Sequence, residues 1–440
     1  MPNHRSAVSG PGLPGAKTCR GHRGPRGLSN LWWQAAGVSI VKKGEAMKQE
    51  TSRTGLTRRE LLVAGTGAVA AIGLPTFAKA SAPASTVAIE RCRSYSDFRP
   101  KLAAAFDHIG GIEGLVRGKT VGLKLNLTGN PKNFPLTPDL PYRTDGETVA
   151  NTVYLLARAG ATRIRIIESF FPATEDLGLW ARYGIDVNAV NNMGTKIEWE
   201  NVQNLGKYKQ YVRLKVPWGG YMYPAYYVNQ AFVDCDVYAS LSKLKNHWIA
   251  GVTMSMKNNF GDTPCSLYGG DCGPNGNERP TKERGQVLHE GTTKAPEGVD
   301  AELHPDSPRD PGYRVPRILV DQVGIRPIDL AIVDGVETVR GGEGPWLPGG
   351  VERMSPGVII AGRNPVCVDT VGMAVMSYDP KADRGSSPFV RGDNSLKLAE
   401  AVGIGTTDLN RIEVAGLSIK EAKIDFGPGA VGKTLRELRG

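Results

Sequence analysis

The sequence predicts an α/β fold: a mostly parallel sheet with flanking helices, built as one large domain in one or two lobes. A short apolar strand at 120–129 precedes a helix at 144–161, and a second strand follows at 163–169. Strand, crossover helix and strand form a βαβ unit, which implies a parallel sheet. The length of 440 residues, with 40% hydrophobic and 22% charged residues, is enough for a large core.

The helix at 144–161 has both of its ends marked in the sequence. Thr144 and Glu147 fit a capping box, in which each side chain accepts a backbone N–H of the first turn. Apolar residues then recur at helical spacing until Gly160, which ends the helix.

The same alternation continues toward the C-terminus. A second helix is predicted at 364–378, with Asn364 as N-cap and Pro365 at the first helical position. Residues 262–316 interrupt the pattern as a long irregular loop rich in Gly, Pro and charged residues, which is uncommon unless it is functional or mobile. The remaining predicted elements are strands at 236–246, 329–336, 357–362 and 411–416 and a helix at 394–405.

Residues 47–80 have the parts of an export signal. Arg58 and Arg59 precede a Gly- and Ala-rich apolar run at 61–74, and "AKA" at 78–80 is a small-x-small cleavage site. The paired arginines are typical of a twin-arginine signal, which would make the twin-arginine export machinery a partner. The apolar run is too short to cross a bilayer of about 30 Å. We therefore expect no stable membrane span in the mature form.

The signal sets the expected limits and destination of the mature chain. We expect translation to begin at Met47, which makes residues 1–46 a disordered, non-native extension. The mature domain then covers 81–440 and is exported to the periplasm or another extracytoplasmic compartment. "ASA" at 80–82 is a second cleavage option.

The positive charge of the chain is concentrated in this N-terminal region. Residues 1–81 hold 12 Lys and Arg against 3 Asp and Glu, and so carry nearly all of the formal net charge of +10. The rest of the chain is close to neutral, unlike a general polyanion binder. We expect no nucleic-acid partner.

The six cysteines provide no recognisable cofactor motif. None forms a C-x-x-C pair, so the chain has no iron–sulfur cluster motif, and its cofactors stay unknown. Cys265 and Cys272 bracket a turn-rich loop, where a disulfide and two free thiols are equally compatible with the sequence. Cys235 and Cys367 lie in apolar runs and are expected in the core.

Polar side chains follow four of the predicted strands at their carboxyl ends. In open α/β sheets, ligands bind beyond these ends, so the side chains are candidates for one common site. They are Lys124 and Asn126; Glu168 and Ser169; Lys243, Lys245 and His247; and Asp334.

The stretch "SKLKNHWIAGVTMSMKNNFG" places cations in an apolar run. If 241–247 is extended, Lys243, Lys245 and His247 share one face, because strand side chains alternate. Lys257 and the asparagine after it add a further charge and an amide. This pattern suits a carboxylate or phosphate ligand. A solvated edge strand protected by lysines is the alternative.

A glycine-rich segment, "RGGEGPWLPGG" at 340–350, follows another predicted strand. Its backbone N–H groups can face an anion, although an irregular turn explains it equally and it matches no nucleotide-binding fingerprint. Glu343 in its middle is an acid/base or ligand candidate.

Four ordered motifs resemble one known family. "VGLKLNL", "SKLKNHWIAGVTMSMKNNFG", "LAIVDGVETVRGGEGP" and "IIAGRNPVCVDTVG" follow the order of the domain of unknown function 362 family, over roughly residues 86–420. The resemblance implies a common fold and no established reaction. Many relatives carry an appended ferredoxin-like module, which this chain lacks.

The candidate site follows from these motifs. We expect an exported protein that acts, as an enzyme, on a small anionic ligand, with His247 or Glu343 moving a proton. The expected ligand-binding residues are Lys124, Asn126, Lys243, Lys245, Lys257, Asn258 and Asp334.

Two other functions stay open from the sequence. One is a metal- or redox-cofactor-dependent oxidoreductase, with a metal set such as His247, His289 and either Asp334 or Asp369. The other is a non-catalytic ligand-binding protein of the cell envelope.

Overall fold

A mostly parallel sheet with helices on both faces forms the body of the protein, which confirms the predicted α/β class. The computed structural model describes residues 82–129, 140–170, 176–203, 205, 207, 210–268, 285–294, 298–347 and 350–430. The strands are β1 (Val87–Arg91), β2 (Thr120–Lys124), β3 (Arg163–Glu168), β4 (Lys196–Asn201), β5 (Tyr211–Lys215), β6 (Ala225–Asn229), β7 (Val237–Lys243), β8 (Lys245–His247), β9 (Gly251–Thr253), β10 (Leu330–Gly335), β11 (Thr338–Arg340), β12 (Glu352–Met354), β13 (Val358–Gly362) and β14 (Val414–Gly416).

Eight of these strands form the central sheet, in the order β14-β1-β13-β10-β7-β2-β3-β4. The neighbours from β10 to β4 pair in parallel, and β13 runs antiparallel to both of its neighbours. The pairs β5–β6, β8–β9 and β11–β12 form separate two-stranded sheets.

The strand order reverses between β2 and β7. From β2 the chain continues outward through β3 and β4, whereas β7 lies on the other side of β2 and leads to β10. At such a switch point the connections leave in opposite directions and open a crevice beyond the carboxyl ends of the two strands. The strand order therefore favours a binding crevice after Lys124 and Lys243.

Two apolar cores pack on the two faces of the sheet. One joins Leu123 of β2 to Val153 of a flanking helix, and the other joins Val333 of β10 to Ile318. The α-helices are Phe98–His108, Glu113–Val116, Gly146–Arg158, Gly178–Arg182, Val187–Asn191, Ser255–Asn258, Cys265–Tyr268, Pro311–Ile325, Pro365–Val375, Ser395–Ala401 and Ile419–Ala422. The 3₁₀ turns are Tyr95–Asp97, Gln230–Phe232, Asn259–Asp262 and Leu409–Arg411, and Gly285–Glu290 is a π-helix.

Two predicted element boundaries need correction. The helix predicted at 144–161 begins at Gly146, and Asp145, not Thr144, is its N-cap, since the Asp145 carboxylate accepts the Glu147 N–H. The segment 236–246, predicted to begin as a strand, leaves the sheet after Lys243: the Leu244 N–H makes the last bond to β10, to Asp334 O at 3.0 Å, and residues 245–247 pair with β9 instead.

The stretch predicted as an irregular loop, 262–316, also ends earlier than expected. The helix Pro311–Ile325 begins inside it, because the Asp310 side chain accepts the Gly312 N–H and a proline occupies the first turn. In contrast, the predicted N-cap Asn364 is confirmed, since its side chain accepts two backbone N–H groups of the following helix.

The cysteine predictions have different outcomes. Cys235 and Cys367 are buried free thiols in one apolar core, as expected. Cys272 lies outside the described residues, as do residues 1–46 and the signal at 47–80. Among the described residues, no helix is both long and apolar enough to cross a membrane.

Gly146, in the first turn of the helix Gly146–Arg158, packs closely against a neighbouring backbone segment. An added Cβ at Gly146 would lie 2.1 Å from Gly184 O, whereas one at Gly114 meets nothing within 4 Å. We expect Gly146→Ala to lower the free energy of unfolding by about 1–3 kcal/mol through overpacking. Gly114→Ala, the control, should be neutral or raise it by up to about 1 kcal/mol. Urea unfolding measures both, and equal effects would contradict this packing.

Candidate functional site

Hydrogen bonds connect several segments between the carboxyl ends of β2 and β7. The Asn126 N–H donates to Thr144 Oγ1 at 2.9 Å, and Thr144 Oγ1 donates to Leu241 O at 3.4 Å. Asn258 Nδ2 donates to Lys124 O at 3.3 Å. Thr144 is thus used inside the crevice, which explains why it does not cap its helix.

Lys124 forms a buried ion pair at the ends of β2 and β3. Its Nζ lies 2.6 Å from Glu168 Oε1 and also donates to Leu125 O at 2.8 Å. The Glu168 carboxylate accepts the backbone N–H groups of Leu127 and Ser169, each at 2.7 Å. The charge of Lys124 is therefore compensated within the protein.

Asn258 connects this ion pair to the rest of the crevice. Its Oδ1 accepts from Asn126 Nδ2 at 3.2 Å and lies 3.5 Å from Lys124 Nζ. Its Nδ2 also donates to Ser240 Oγ of β7 at 3.1 Å. The predicted residues Lys124, Asn126 and Asn258 therefore form one hydrogen-bonded group across the switch point.

Lys243 belongs to a different group on the opposite face of the sheet. It shares a strand face with Leu241, which packs in the same core as Leu123, whereas Lys124 faces the other way. Lys243 Nζ, fully buried, lies 2.7 Å from Asp334 Oδ2. The same nitrogen also donates to the Tyr95 hydroxyl at 2.8 Å.

The Lys243–Asp334 pair is further closed off by its neighbours. Thr148 Oγ1 and the Tyr95 hydroxyl donate to Asp334 Oδ2 at 3.1 and 3.3 Å. Burial, and next the Asp334 charge, raise the pKa of Tyr95 far above its usual value. The charges of the predicted residues Lys243 and Asp334 thus compensate each other on this face of the sheet.

Lys245 is the third buried lysine, and it has a different environment. Its Nζ donates to two backbone carbonyls, Tyr142 O at 2.5 Å and Glu343 O at 3.0 Å. Burial lowers the pKa of Lys245 to about 7. The attraction of the Glu343 carboxylate opposes this, and repulsion from Lys243 and Lys257 adds to it. Within the described part of the chain, no carboxylate forms an ion pair with Lys245.

His247 ends β8 and is held in one tautomer. Its Nδ1 accepts the backbone N–H groups of Ile249 and Ala250 at 3.1 and 3.2 Å. The proton of the neutral ring is therefore on Nε2. Burial, then the charges of Lys257 and Lys245, hold the pKa of His247 well below its usual value. At neutral pH the ring is a hydrogen-bond donor.

Glu343 connects the glycine-rich segment to the hairpin of β8 and β9, which contains His247. Its Oε2 accepts the Trp248 N–H at 2.9 Å, and its Oε1 accepts from Trp346 Nε1 at 3.4 Å. The Gly341 N–H donates to Asn246 Oδ1 at 3.0 Å. These groups bond to the protein itself, so Glu343 holds the segment in place beside Lys245.

Lys257 is the remaining cation of the candidate site. Its Nζ lies 4.6 Å from the centre of the Phe260 ring, a cation–π geometry, and its charge acts on both Lys245 and His247. His289 stacks on the same Phe260 ring, with the two ring centres 4.8 Å apart.

The proposed metal-ligand residues have other contacts. Asp369 accepts the backbone N–H groups of Ser255 and Met256, each at 2.9 Å, and burial raises its pKa to about 7. It therefore caps a helix other than its own. In the described ranges, no group of three or more His, Cys, Asp or Glu side chains is placed to hold a metal ion.

Several contributing residues were not found from the sequence. Tyr95 and Tyr142 come from segments distant in sequence, and no strand-end pattern marks them. Asp262 is a buried carboxyl whose pKa burial raises to about 8, and Tyr238 donates a hydroxyl hydrogen bond to it at 3.3 Å. Its place just after the "MKNNFG" motif is the one signal that points to it.

Comparison with known proteins places the chain among related sequences. A family model described as "Domain of unknown function (DUF362)" matches residues 121–374. No curated protein matches the chain.

Two solved structures are similar in part. The lactate racemase apoprotein from Thermoanaerobacterium thermosaccharolyticum is 13% identical, with a TM-score of 0.32, and the match covers 57% of this chain and 50% of that one. A protein from Thermotoga maritima is 12% identical, with a TM-score of 0.34, and the match covers 71% and 60%. The chain thus spans about half to three fifths of the length of these proteins.

Removing the buried Lys243 should destabilise the fold far more than removing an exposed lysine. Lys243→Met leaves the buried Asp334 carboxylate without its cation, so we expect a loss of about 3–5 kcal/mol in the free energy of unfolding. Lys381→Met, at an exposed lysine, should change it by less than about 0.5 kcal/mol. Denaturant unfolding at pH 7 measures both. A Lys243→Met loss below 1 kcal/mol would show that the pair does not stabilise the fold.

Lys245 should instead make stability depend on pH. Its pKa is about 7 in the folded protein and about 10.4 in an unfolded chain. Between these values the unfolded state binds more protons, so stability rises with pH by up to about 1.4 kcal/mol per unit. Lys245→Met removes this titration. We expect the unfolding free energy of the wild type, relative to Lys245→Met, to increase from pH 7 to pH 10. If the unfolding free energies of the two proteins change with pH in the same way, Lys245 does not have a lowered pKa.

Proposed function

Since the chain belongs to the domain of unknown function 362 family, whose description assigns no reaction, we propose its function from the geometry of the crevice. The proposed function is to bind a small anion, such as a carboxylate or a phosphate, and to transfer a proton to or from it. The protein would act as an enzyme in which Lys245 and His247 contact the ligand.

The surroundings of Lys245 are the observation that carries this proposal. The Lys245 amine is buried and unpaired by any described carboxylate, and Lys257 and Arg143 add positive charge around it. Glu343 is the carboxylate that attracts it, and its oxygens already accept hydrogen bonds from two tryptophans. A bound anion would offset the repulsion among these cations.

The geometry favours a division of roles that differs from the sequence-based hypothesis. Lys245, with its pKa of about 7, exchanges a proton readily at neutral pH. His247 suits hydrogen-bond donation from Nε2, since its Nδ1 is engaged by backbone N–H groups. Glu343 supports the segment above Lys245 rather than acting as the proton carrier.

Tryptophan fluorescence tests the anion site, because Trp248 and Trp346 both donate to Glu343. We expect acetate or inorganic phosphate to change the emission of the wild type in a saturable way. Lys245→Met should weaken that binding about ten- to a hundredfold, the value of one charge-assisted hydrogen bond of about 1.5–3 kcal/mol. Lys381→Met removes an exposed charge and should leave the affinity unchanged. Equal affinities in all three proteins would refute the site.

Export through the twin-arginine route is a second part of the proposal, supported by Arg58, Arg59 and the apolar run after them. In cells we expect a chain beginning at Ser81 outside the cytoplasm, identified by fractionation and N-terminal mass spectrometry. Replacing both arginines by lysine should retain the precursor inside, while Lys48→Arg should not. Export of the double variant at the wild-type level would count against this route.

A further inference from the structure

Three buried lysines lie at the switch point, and their nitrogen atoms have different partners. Lys124 lies 2.6 Å from the Glu168 carboxylate, and Lys243 lies 2.7 Å from the Asp334 carboxylate. Lys245, equally buried, contacts two backbone carbonyl oxygens instead. The first two are thus ammonium groups in ion pairs, and they serve as internal references for the third.

Lys245 Nζ has two hydrogen-bond acceptors in the described part of the chain, and the centre of the Tyr142 ring lies 5.7 Å away. An ammonium group has three N–H donors, and burying one without an acceptor is costly. A neutral amine has two N–H donors and one lone pair. The two acceptors, Tyr142 O and Glu343 O, match those two donors, so the lone pair of Lys245 is free to act as a nucleophile.

We propose that Lys245 forms an imine with the carbonyl carbon of a small anionic aldehyde or ketone, an oxo acid. This inference rests on the proposed function and deepens it, since it names the substrate class of the anion site. The cationic surroundings, with Lys257 nearby, suit the acid group of such a ligand, and the Lys245 amine suits its carbonyl.

The step balances without an oxidant or a reductant. The nitrogen lone pair attacks the carbonyl carbon and forms the C–N bond, while the carbonyl π pair moves to oxygen. The oxygen then leaves with both amine hydrogens as water, and the C=N bond forms. His247, two residues along β8 from Lys245 and on the same strand face, can donate its Nε2–H to the departing oxygen.

Access to the amine depends on the segment that covers it. Glu343 O lies over Lys245 Nζ, and this carbonyl follows Gly341 and Gly342, whose φ angles of +91° and +155° favour glycine. The hairpin beneath is held by Asn246, whose Nδ2 donates to Tyr378 OH at 2.6 Å. Imine formation therefore requires the Glu343 carbonyl to move off the amine.

Reductive trapping tests the inference on the full chain. The protein is incubated at pH 7 with pyruvate or glyoxylate and sodium cyanoborohydride, then digested and analysed by mass spectrometry. We expect Lys245 to be labelled at least tenfold faster than Lys124 and Lys243 in the same digest, and faster than exposed lysines such as Lys381. Acetaldehyde, which lacks the acid group, should label Lys245 more slowly.

The outcomes separate this inference from the function on which it rests. If acetate and pyruvate still change the tryptophan emission but Lys245 is labelled no faster than the reference lysines, the imine is refuted and the anion site survives. If neither binding nor labelling occurs, both are refuted. Lys245→Arg keeps a long cationic side chain, so this variant should bind acetate but should carry no label at position 245. If another lysine of the variant is labelled as fast as Lys245 is in the wild type, the assignment to Lys245 is wrong.

Discussion

Burying a lysine ammonium group is costly unless a carboxylate or several acceptors replace its water shell, and three lysines are buried at one edge of this sheet. Two of them satisfy this constraint with carboxylates from neighbouring strand ends. Glu168 pairs with Lys124 on one face, and Asp334 pairs with Lys243 on the other. Both pairs stabilise the ends of the strands that form the crevice.

Lys245 is buried as deeply as the other two lysines, but no described carboxylate forms an ion pair with it. The other cations around it repel its charge, and the carbonyl oxygens that contact it accept hydrogen bonds from a neutral amine as well as from a charged one. Burial is the main reason why the pKa of Lys245 is low, and the charges of Lys243, Lys257 and Arg143 lower it further against the attraction of Glu343.

The sequence predicted the class of fold because its signals there are local. Alternating apolar strands and helices are visible in short windows, and Asn364 followed by Pro365 marks a helix start unambiguously. The strand-end rule also brought Lys124 and Asn126 into one candidate group, since Lys124 ends β2, Asn126 follows it, and both contact Asn258. These features need only the periodicity of one segment and the geometry of a parallel sheet.

The arrangement within the site depends on distant contacts that no spacing reveals. Lys243 and Lys245 were expected on one strand face, but Lys243 ends β7 in the central sheet, whereas Lys245 pairs with β9 in a separate hairpin. Glu343 was expected to face a ligand, yet the Trp248 N–H, far away in sequence, binds its carboxylate. Such contacts form only when the whole sheet is assembled, so the sequence pattern did not predict the partners of the candidate residues.

The protonation state of Lys245 is the most direct measure of this arrangement. Lysine labelled with ¹³C at Cε reports each titration by NMR, and Lys245→Met identifies the signal. We expect one lysine resonance to titrate near pH 7 in the wild type and to be missing in Lys245→Met. If no lysine titrates below about pH 9, Lys245 is an ordinary ammonium group and the proposed site chemistry is wrong.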